Sequence, residues 1–298
     1  MNGLVRAGYR ESERITRERA RSFAFASTAL GGDLKRASFA VYAFCRRCDD
    51  AVDSAEGLAA QQLAARVADL RAQVADAYRG EDRGDPVLAA FGDTVRAHAV
   101  PRQAVLELID GMEQDLTTKR YETWEELLGY CDLAAGTVGR MMASVFGVTQ
   151  LSALEHASAL GCAMQLTNVL RDVAEDALVH DRVYLPRIAL AEAGIDDARL
   201  AAWARAGSLD ASAEAEAMRG VMREAGRRAT ALYEKADYGV PYIVVASGRA
   251  CVRLMRATYS EILSVLAARG WDPFAGRAST SLPRKLRVGA RALIGAWS

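Results

Sequence analysis

The chain has 298 residues, and its 38 Lys and Arg balance its 38 Asp and Glu, so the formal net charge is zero. Hydrophobic residues make up 51% and charged residues 26%, the composition of a globular chain long enough for a large core. This balance argues against a nucleic-acid partner, which would need an excess of positive charge, and 6 scattered prolines exclude collagen-like and low-complexity readings.

The first 23 residues carry charge throughout and no apolar run, so a secretory signal is not expected. No stretch of about 18 uninterrupted apolar residues occurs, so no spanning helix is expected. Strand patterns do not recur. Ala, Leu, Arg and Glu dominate, with apolar residues at helical spacing. The spacing predicts helices around 33–54, 58–79, 86–98, 102–117, 123–147, 151–178, 211–237 and 241–269, separated by Gly- and Pro-containing breaks. No linker divides two cores, so one all-α domain is expected, with 1–17 as an N-terminal segment, 18–288 as the body and 289–298 as a tail.

The predicted helix 33–54 ends in Tyr42-Ala43-Phe44-Cys45-Arg46-Arg47-Cys48-Asp49-Asp50-Ala51-Val52-Asp53. At about 100° per residue, Tyr42, Arg46, Asp49 and Asp53 share an arc of roughly 60°. Phe39, Val41, Phe44, Cys45, Cys48 and Val52 cover the remaining faces. A helix apolar nearly all round is buried, so its polar stripe is expected to face an internal cavity.

The predicted helix 151–178 repeats the pattern in Gln165-Leu166-Thr167-Asn168-Val169-Leu170-Arg171-Asp172-Val173-Ala174-Glu175-Asp176. Gln165, Asn168, Asp172 and Asp176 fall within roughly 80°, beside the apolar stripe of Cys162, Leu166, Val169, Leu170 and Val173. Arg171 and Glu175 are expected to point away. One Asp-rich helix end is common on a solvated surface; a second on another apolar helix argues against that explanation.

Like charges at i,i+4 destabilise a helix by about 0.2–0.5 kcal/mol, and burial makes unpaired carboxylates far more costly. A cation is therefore required between the stripes. Asp, Asn and Gln supply only hard oxygen ligands, which suit Mg²⁺ or Mn²⁺, and Mg²⁺ shares its shell between carboxylates and substrate phosphates. The pattern points to a device that holds a diphosphate and removes it.

On these residues the chain resembles the squalene/phytoene synthase family over roughly 18–288. The resemblance includes Ala20-Arg21-Ser22-Phe23, Tyr42 through Asp53, Tyr130-Cys131, Ala135-Gly136-Thr137-Val138-Gly139, Ala163 through Asp176 and Arg182-Val183-Tyr184-Leu185-Pro186. It implies an all-α isoprenoid synthase fold around a central cavity in which two prenyl diphosphates bind with Mg²⁺ or Mn²⁺. Asp49, Asp50 and Asp53 on one wall, and Asn168, Asp172 and Asp176 on the other, would hold metal. Ser22, Phe23, Tyr42, Arg46, Gln165, Asn168, Tyr259 and Arg277 would contact substrate. Arg46, Tyr130 and the acids Asp49, Asp53, Asp172 and Asp176 would serve the chemistry.

The implied reaction ionises one diphosphate to an allylic cation and traps it with the second substrate's double bond. The resulting cyclopropylcarbinyl diphosphate rearranges to join the two chains at carbon 1. Phe23, Phe25, Tyr42, Phe44 and Tyr130 are candidates to face the cations. Phytoene from two geranylgeranyl chains is the preferred product. Farnesyl-derived squalene, dehydrosqualene, presqualene diphosphate or hydroxysqualene is the alternative, and Met141, Met142, Val145 and Phe146 are candidates for the cavity floor. No strand-linked dinucleotide motif occurs, so NADPH is not expected unless the product is squalene. Against the family pattern, Asp132 follows Tyr-Cys where an aromatic is usual, Asp181 replaces the usual Gly before Arg182, and Ala20 and Ser27 occupy positions that vary.

The second motif fits neither a terpene cyclase nor a head-to-tail elongating synthase, and the intact acids argue against a non-catalytic scaffold. Cys45-x-x-Cys48 is a single pair without nearby His, so buried free thiols in a reducing cytoplasm are expected. His98, His156 and His180 do not cluster. The segment 282–294 is basic and amphipathic; Arg277, Arg284, Lys285 and Arg287 are read either as a cap over diphosphate or, with the segment, as a peripheral membrane contact. The oligomeric state is not set by the sequence.

Overall fold

A computed structural model describes residues 2–53, 60–118 and 120–294, with the side chains of 52, 53, 60, 115–117 and 294 outside the described set. The chain forms α1 (Gly3–Arg19), α2 (Arg21–Ala26), α3 (Gly32–Asp53), α4 (Ala60–Arg79), α5 (Pro86–Ala97), α6 (Arg102–Thr117), α7 (Trp124–Cys131), α8 (Thr137–Phe146) and α9 (Ala153–Val179). It continues with α10 (Arg187–Glu192), α11 (Asp197–Ala206), α12 (Ala213–Asp237), α13 (Ala246–Ala268) and α14 (Leu282–Ile294). Among the described residues there is no strand; two isolated bridges, Arg120 to Val183 and Val148 to Ile243, tie loops together.

The predicted helices correspond to α3–α6, α7 with α8, α9, α12 and α13. The predicted helix around 123–147 is interrupted by a π-helical turn, Asp132–Gly136, and the one around 241–269 starts later because Val240–Tyr242 forms a 3₁₀ turn around Pro241. The helices α1, α2, α10, α11 and α14 fall outside the predicted spans. The segment 1–17 forms most of α1, which lies against α3 and α5. The buried face of α1 is Gly8, Ser12 and Thr16, and a Cβ at Gly8 would collide with the Pro86 carbonyl. Tyr9 donates to Asp93 at 2.8 Å and stands 3.1 Å from the Thr94 hydroxyl, fastening α1 to α5.

Two apolar clusters build the interior. One gathers α3–α6 with parts of α8 and α13, around Phe44, Phe91, Leu108 and Met141. The other gathers α7, α9, α11 and α12, around Leu166, Leu170, Trp203 and Tyr233. Met164 and Tyr259 pack against both. All five cysteines are buried free thiols, as expected.

The Gly136–Gly139 segment serves helix crossing. A Cβ at Gly139 would strike the Ala157 carbonyl, and one at Gly161 would strike the Ala135 carbonyl, so α9 meets α8 and the π-helical turn before it backbone to backbone. Asp181, which stands where a Gly is usual, adopts φ 49° in the left-handed region that Asp tolerates.

Gly161→Ala should therefore lower the stability measured by chemical denaturation by about 1–3 kcal/mol. Gly129→Ala, on an exposed position of α7 with nothing within 4 Å, should be neutral or stabilising; equal effects would show that the α8–α9 approach is not tight.

Candidate active site

The main cavity, about 310 Å³, runs along α9 and is lined on that helix by Ala153, His156, Ala157, Leu160, Gly161, Met164, Gln165 and Asn168. The 15 helical rises from residue 153 to residue 168 correspond to roughly 22 Å of helix. α8 contributes Val138, Gly139, Met142, Ala143 and Phe146, and α13 contributes Cys251, Val252, Met255 and Tyr259. Arg19, Phe23 and Tyr42 complete the wall. Along α9 the lining beyond His156 is apolar until Gln165 and Asn168, and Asp172 and Asp176 follow one and two turns beyond. On α3 the order is the same: Tyr42 lines the cavity, and Arg46, Asp49 and Asp50 follow. Both polar stripes thus begin at the same end of the cavity.

The burial of Phe39, Val41, Phe44, Cys45 and Cys48 fixes the roll of α3. Arg46 donates to Asp49 at 2.8 Å and also pairs with Asp50. Burial works against the Arg46 charge, but Asp50 and Asp49 outweigh it, so its pKa moves up overall. Burial pushes the Tyr42 phenol up to about 12. The Asp53 side chain lies outside the described residues.

On α9, Asp172 is held by two arginines. Arg171 donates through Nε at 2.9 Å, and Arg277, from the segment after α13, approaches through Nε at 2.9 Å and Nη2 at 3.2 Å. Arg277 also lies 3.5 Å from Glu175. Arg171 and Glu175 therefore do not point away: the guanidinium of Arg171 folds back onto its neighbour, because the Asp172 carboxylate is only 15% exposed and needs compensation. Burial opposes the Arg171 charge and Asp172 overcomes it. The Tyr259 phenol is raised, first by burial, and stands within electrostatic reach of Arg171 and Asp172 on one side and of Tyr42 on the other. Through this pair of tyrosines the two stripes meet.

The donor set suits a hard cation shared with a bound group. Asn168 Nδ2 donates to Gln165 at 3.3 Å, leaving Asn168 Oδ1 buried without a hydrogen-bond partner. Among the described residues no three acid, His or Cys side chains converge on one point; the carboxylates are neutralised by arginine instead. Arg46, Arg171 and Arg277 supply positive charge beside these carboxylates.

Other sequence candidates sit elsewhere. Tyr130 is not among the cavity-lining residues; it is buried 5.3 Å from both the Tyr121 and Tyr184 rings. Phe44 stacks on Phe91 at 3.9 Å in the core. Met142 and Phe146 line the cavity, whereas Met141 and Val145 are buried in the α3–α6 cluster. Asp176 borders a small separate pocket with Arg182 and Tyr184. Ser22 accepts from Lys285 at 3.1 Å. Asp132 accepts from Arg140 at 3.0 Å and from Ser158, which explains a charge in the π-helical turn. Sequence reasoning missed Arg171, whose pairing with its immediate neighbour no i,i+4 pattern signals.

An all-helical body in which two polar stripes flank one end of a deep apolar cavity is the isoprenoid synthase fold, and solved structures share it. A dehydrosqualene synthase matches with TM-score 0.86 at 25% identity, covering 98% of this chain and 97% of that one. A squalene synthase from Alicyclobacillus acidocaldarius matches with TM-score 0.79 at 25% identity, covering 91% and 97%. In sequence, the squalene/phytoene synthase family profile matches residues 16–285, and the chain belongs to that family. Phytoene synthase 2 of Solanum lycopersicum is 34% identical over 291 residues, 95% of this chain and 89% of the tomato protein. A phytoene synthase of Pseudescherichia vulneris is 37% identical over 188 residues, 61% of this chain and 60% of the bacterial protein.

Because burial favours the neutral Tyr42 phenol, its stabilising effect is present below the unfolded tyrosine pKa of about 10 and is lost as pH rises toward about 12. Tyr42→Phe should therefore lessen the loss of stability in an alkaline denaturation series and remove one late-ionising phenol from the phenolate absorbance titration. Loss instead of a phenol that ionises near the ordinary value of about 10 would place Tyr42 in water.

Proposed function

We propose that the chain condenses two prenyl diphosphates head to head, with two geranylgeranyl diphosphates giving phytoene. The observation that carries this reading is the apolar cavity along α9 that ends at a tyrosine pair, Tyr42 and Tyr259, beyond which arginine-held carboxylates stand on both α3 and α9. The phytoene synthases among its relatives support the chain length. The dehydrosqualene and squalene synthase neighbours support a farnesyl-using alternative.

In this reading the prenyl tails lie along α8, α9 and α13, and the diphosphates sit at the Tyr42–Asn168 end. Arg46 and Arg277 turn from carboxylates toward diphosphate oxygens and neutralise the charge that builds on the departing group. Asp49, Asp50 and Asp53 on one wall, with Asn168, Asp172 and Asp176 on the other, would hold Mg²⁺ or Mn²⁺. When bound, such an ion supplies Lewis-acid stabilisation of the leaving diphosphate. Ionisation leaves an allylic cation beside Phe23, Tyr42 and Tyr259, whose rings stabilise positive charge while the apolar walls exclude water. The second chain's double bond attacks, and loss of a proton from the resulting cation closes the three-membered ring of a cyclopropylcarbinyl diphosphate. Loss of its diphosphate and rearrangement join the chains at carbon 1, and proton loss ends the reaction without reductant. Tyr130 acts at one remove, holding Tyr121 and Tyr184 behind the wall. Substrate and product both partition into lipid, so we place the chain at a membrane surface. Among the described residues no helix is long and apolar enough to cross a membrane.

Incubation with Mg²⁺ and geranylgeranyl diphosphate, without NADPH, should yield phytoene by mass analysis of the extracted lipid, and chelation should abolish it. A product from farnesyl diphosphate alone would select the alternative; no product from either substrate would remove the assignment. Asp49→Asn and Asp172→Asn should each lower kcat by about a hundredfold or more while leaving the circular dichroism spectrum unchanged.

A further inference from the structure

The end of the cavity away from the polar stripes is lined by Phe146, Val148, His156, Gly239, Val240 and Ile243. Four of these six come from the segments that follow α8 and α12. Two backbone hydrogen bonds join the segments. Thr149 N–H donates to the Tyr242 carbonyl at 2.9 Å and Val244 N–H donates to the Gly147 carbonyl at 2.9 Å, which sets Val148 opposite Ile243. From the other side Arg249, near the start of α13, donates to the Ile243 carbonyl at 2.6 Å and to the Val244 carbonyl at 3.1 Å. The Ile243 side chain packs beside Phe146, where a Cβ on Gly248 would come within 3.2 Å of both. His156 closes the rest: it donates through Nδ1 to the Lys235 carbonyl at 2.8 Å, and its Cβ leaves no room for a Cβ on Gly239. This floor is thin. Ile243 is buried, whereas Val244 beside it is 57% exposed and Tyr238, beside Gly239, is 71% exposed.

A floor made of side chains alone yields when they change rotamer. This one is backbone, hydrogen-bonded on two sides, so it stops a chain instead of giving way. The wall from Ala153, near the floor, to Asn168 at the polar end runs about 22 Å. Each isoprene unit adds four chain bonds, about 5 Å when extended with a carbon–carbon bond of about 1.5 Å. Four units span about 20 Å and stay within the wall, whereas five span about 25 Å and need the space of Val148 and Ile243. Three units stop short of the floor and forgo its contacts.

We propose that the bridge between Val148 and Ile243, clamped by Arg249, is the stop that sets the substrate at four isoprene units. Of the floor candidates named from the sequence only Phe146 reaches it; Met142 lies on the wall, and Met141 and Val145 lie in the core. The proposal rests on the prenyl diphosphate reading above and deepens it by tying chain length to named residues.

The test is calorimetric binding, with Mg²⁺ present, of prenyl S-thiolodiphosphates of three, four and five isoprene units, whose carbon–sulfur bond resists ionisation. The parent should bind the four-unit chain at least tenfold more tightly than the five-unit chain. Val148→Ala/Ile243→Ala should bind the two within about threefold of each other. Ala157→Leu, which fills the cavity one turn along α9 from Ala153, should prefer the three-unit chain to the four-unit chain. Val145→Ala, a cut of similar size in the core, should lower the Tm and keep the parent's ratio. A parent that binds five units as tightly as four, a folded double variant that keeps the parent's ratio, or a Val145→Ala protein that loses it would overturn the proposal. Should the double variant not fold, Ala157→Leu decides alone, and an unchanged preference for four units overturns the stop. Turnover of the matching diphosphates separates the two readings: length-dependent binding without turnover sinks the condensation and leaves the stop standing, and phytoene made by a parent that binds five units as well as four does the reverse.

Discussion

The structure depends on one electrostatic constraint. Carboxylates placed every three or four residues on helices that are otherwise apolar repel one another and lose water, so each must be matched by positive charge or leave the interior. The chain meets this with arginines that differ in origin: Arg46 lies on the same turn of α3 as its acids, Arg171 is the sequence neighbour of Asp172, and Arg277 arrives from a distant segment. The result is a pair of neutralised polar walls. In the proposed reaction a diphosphate would compete for these arginines, and the freed carboxylates would then be available to a divalent ion. Charge balance would thereby link diphosphate and metal, since either alone would leave one partner of each ion pair uncompensated.

The apolar half of the site has a separate cause. Gly139 and Gly161 let α9 approach the backbones of α8 and of the π-helical turn before it, and Gly136 leaves room for the Asp132 and Ser158 side chains. The cavity opens beside that close crossing, between two core clusters that share Met164 and Tyr259. Tyr259 thus belongs to the core packing, lines the cavity and neighbours the Asp172 ion pairs. Its position joins the stable interior to the reactive end.

The all-α architecture was legible because apolar periodicity dominates the middle of the chain, and both polar stripes were legible because the same arithmetic shows which residues share a face. α1 was not, because its buried face is Gly8, Ser12 and Thr16, with no apolar stripe to detect. α10 was too short to show a period. The tyrosine neighbours of Tyr130 were not legible, because an aromatic on a helix reads alike whether it faces a cavity or other rings. The turn of Arg171 toward Asp172 was hidden because helical-face arithmetic follows the Cβ direction and not the reach of a long side chain, and the role of Arg277 needed a contact across 105 residues. The floor of the cavity also required the fold, since the segments after α8 and α12 carry no period that would show them meeting.

The most direct measurement is Mn²⁺ binding followed by electron paramagnetic resonance, with and without inorganic pyrophosphate. If arginines hold the carboxylates until a diphosphate displaces them, Mn²⁺ binds weakly alone and at least tenfold more tightly with pyrophosphate present, and Asp172→Asn abolishes that coupling. Tight Mn²⁺ binding that pyrophosphate leaves unchanged, or coupling that survives Asp172→Asn, would contradict the account.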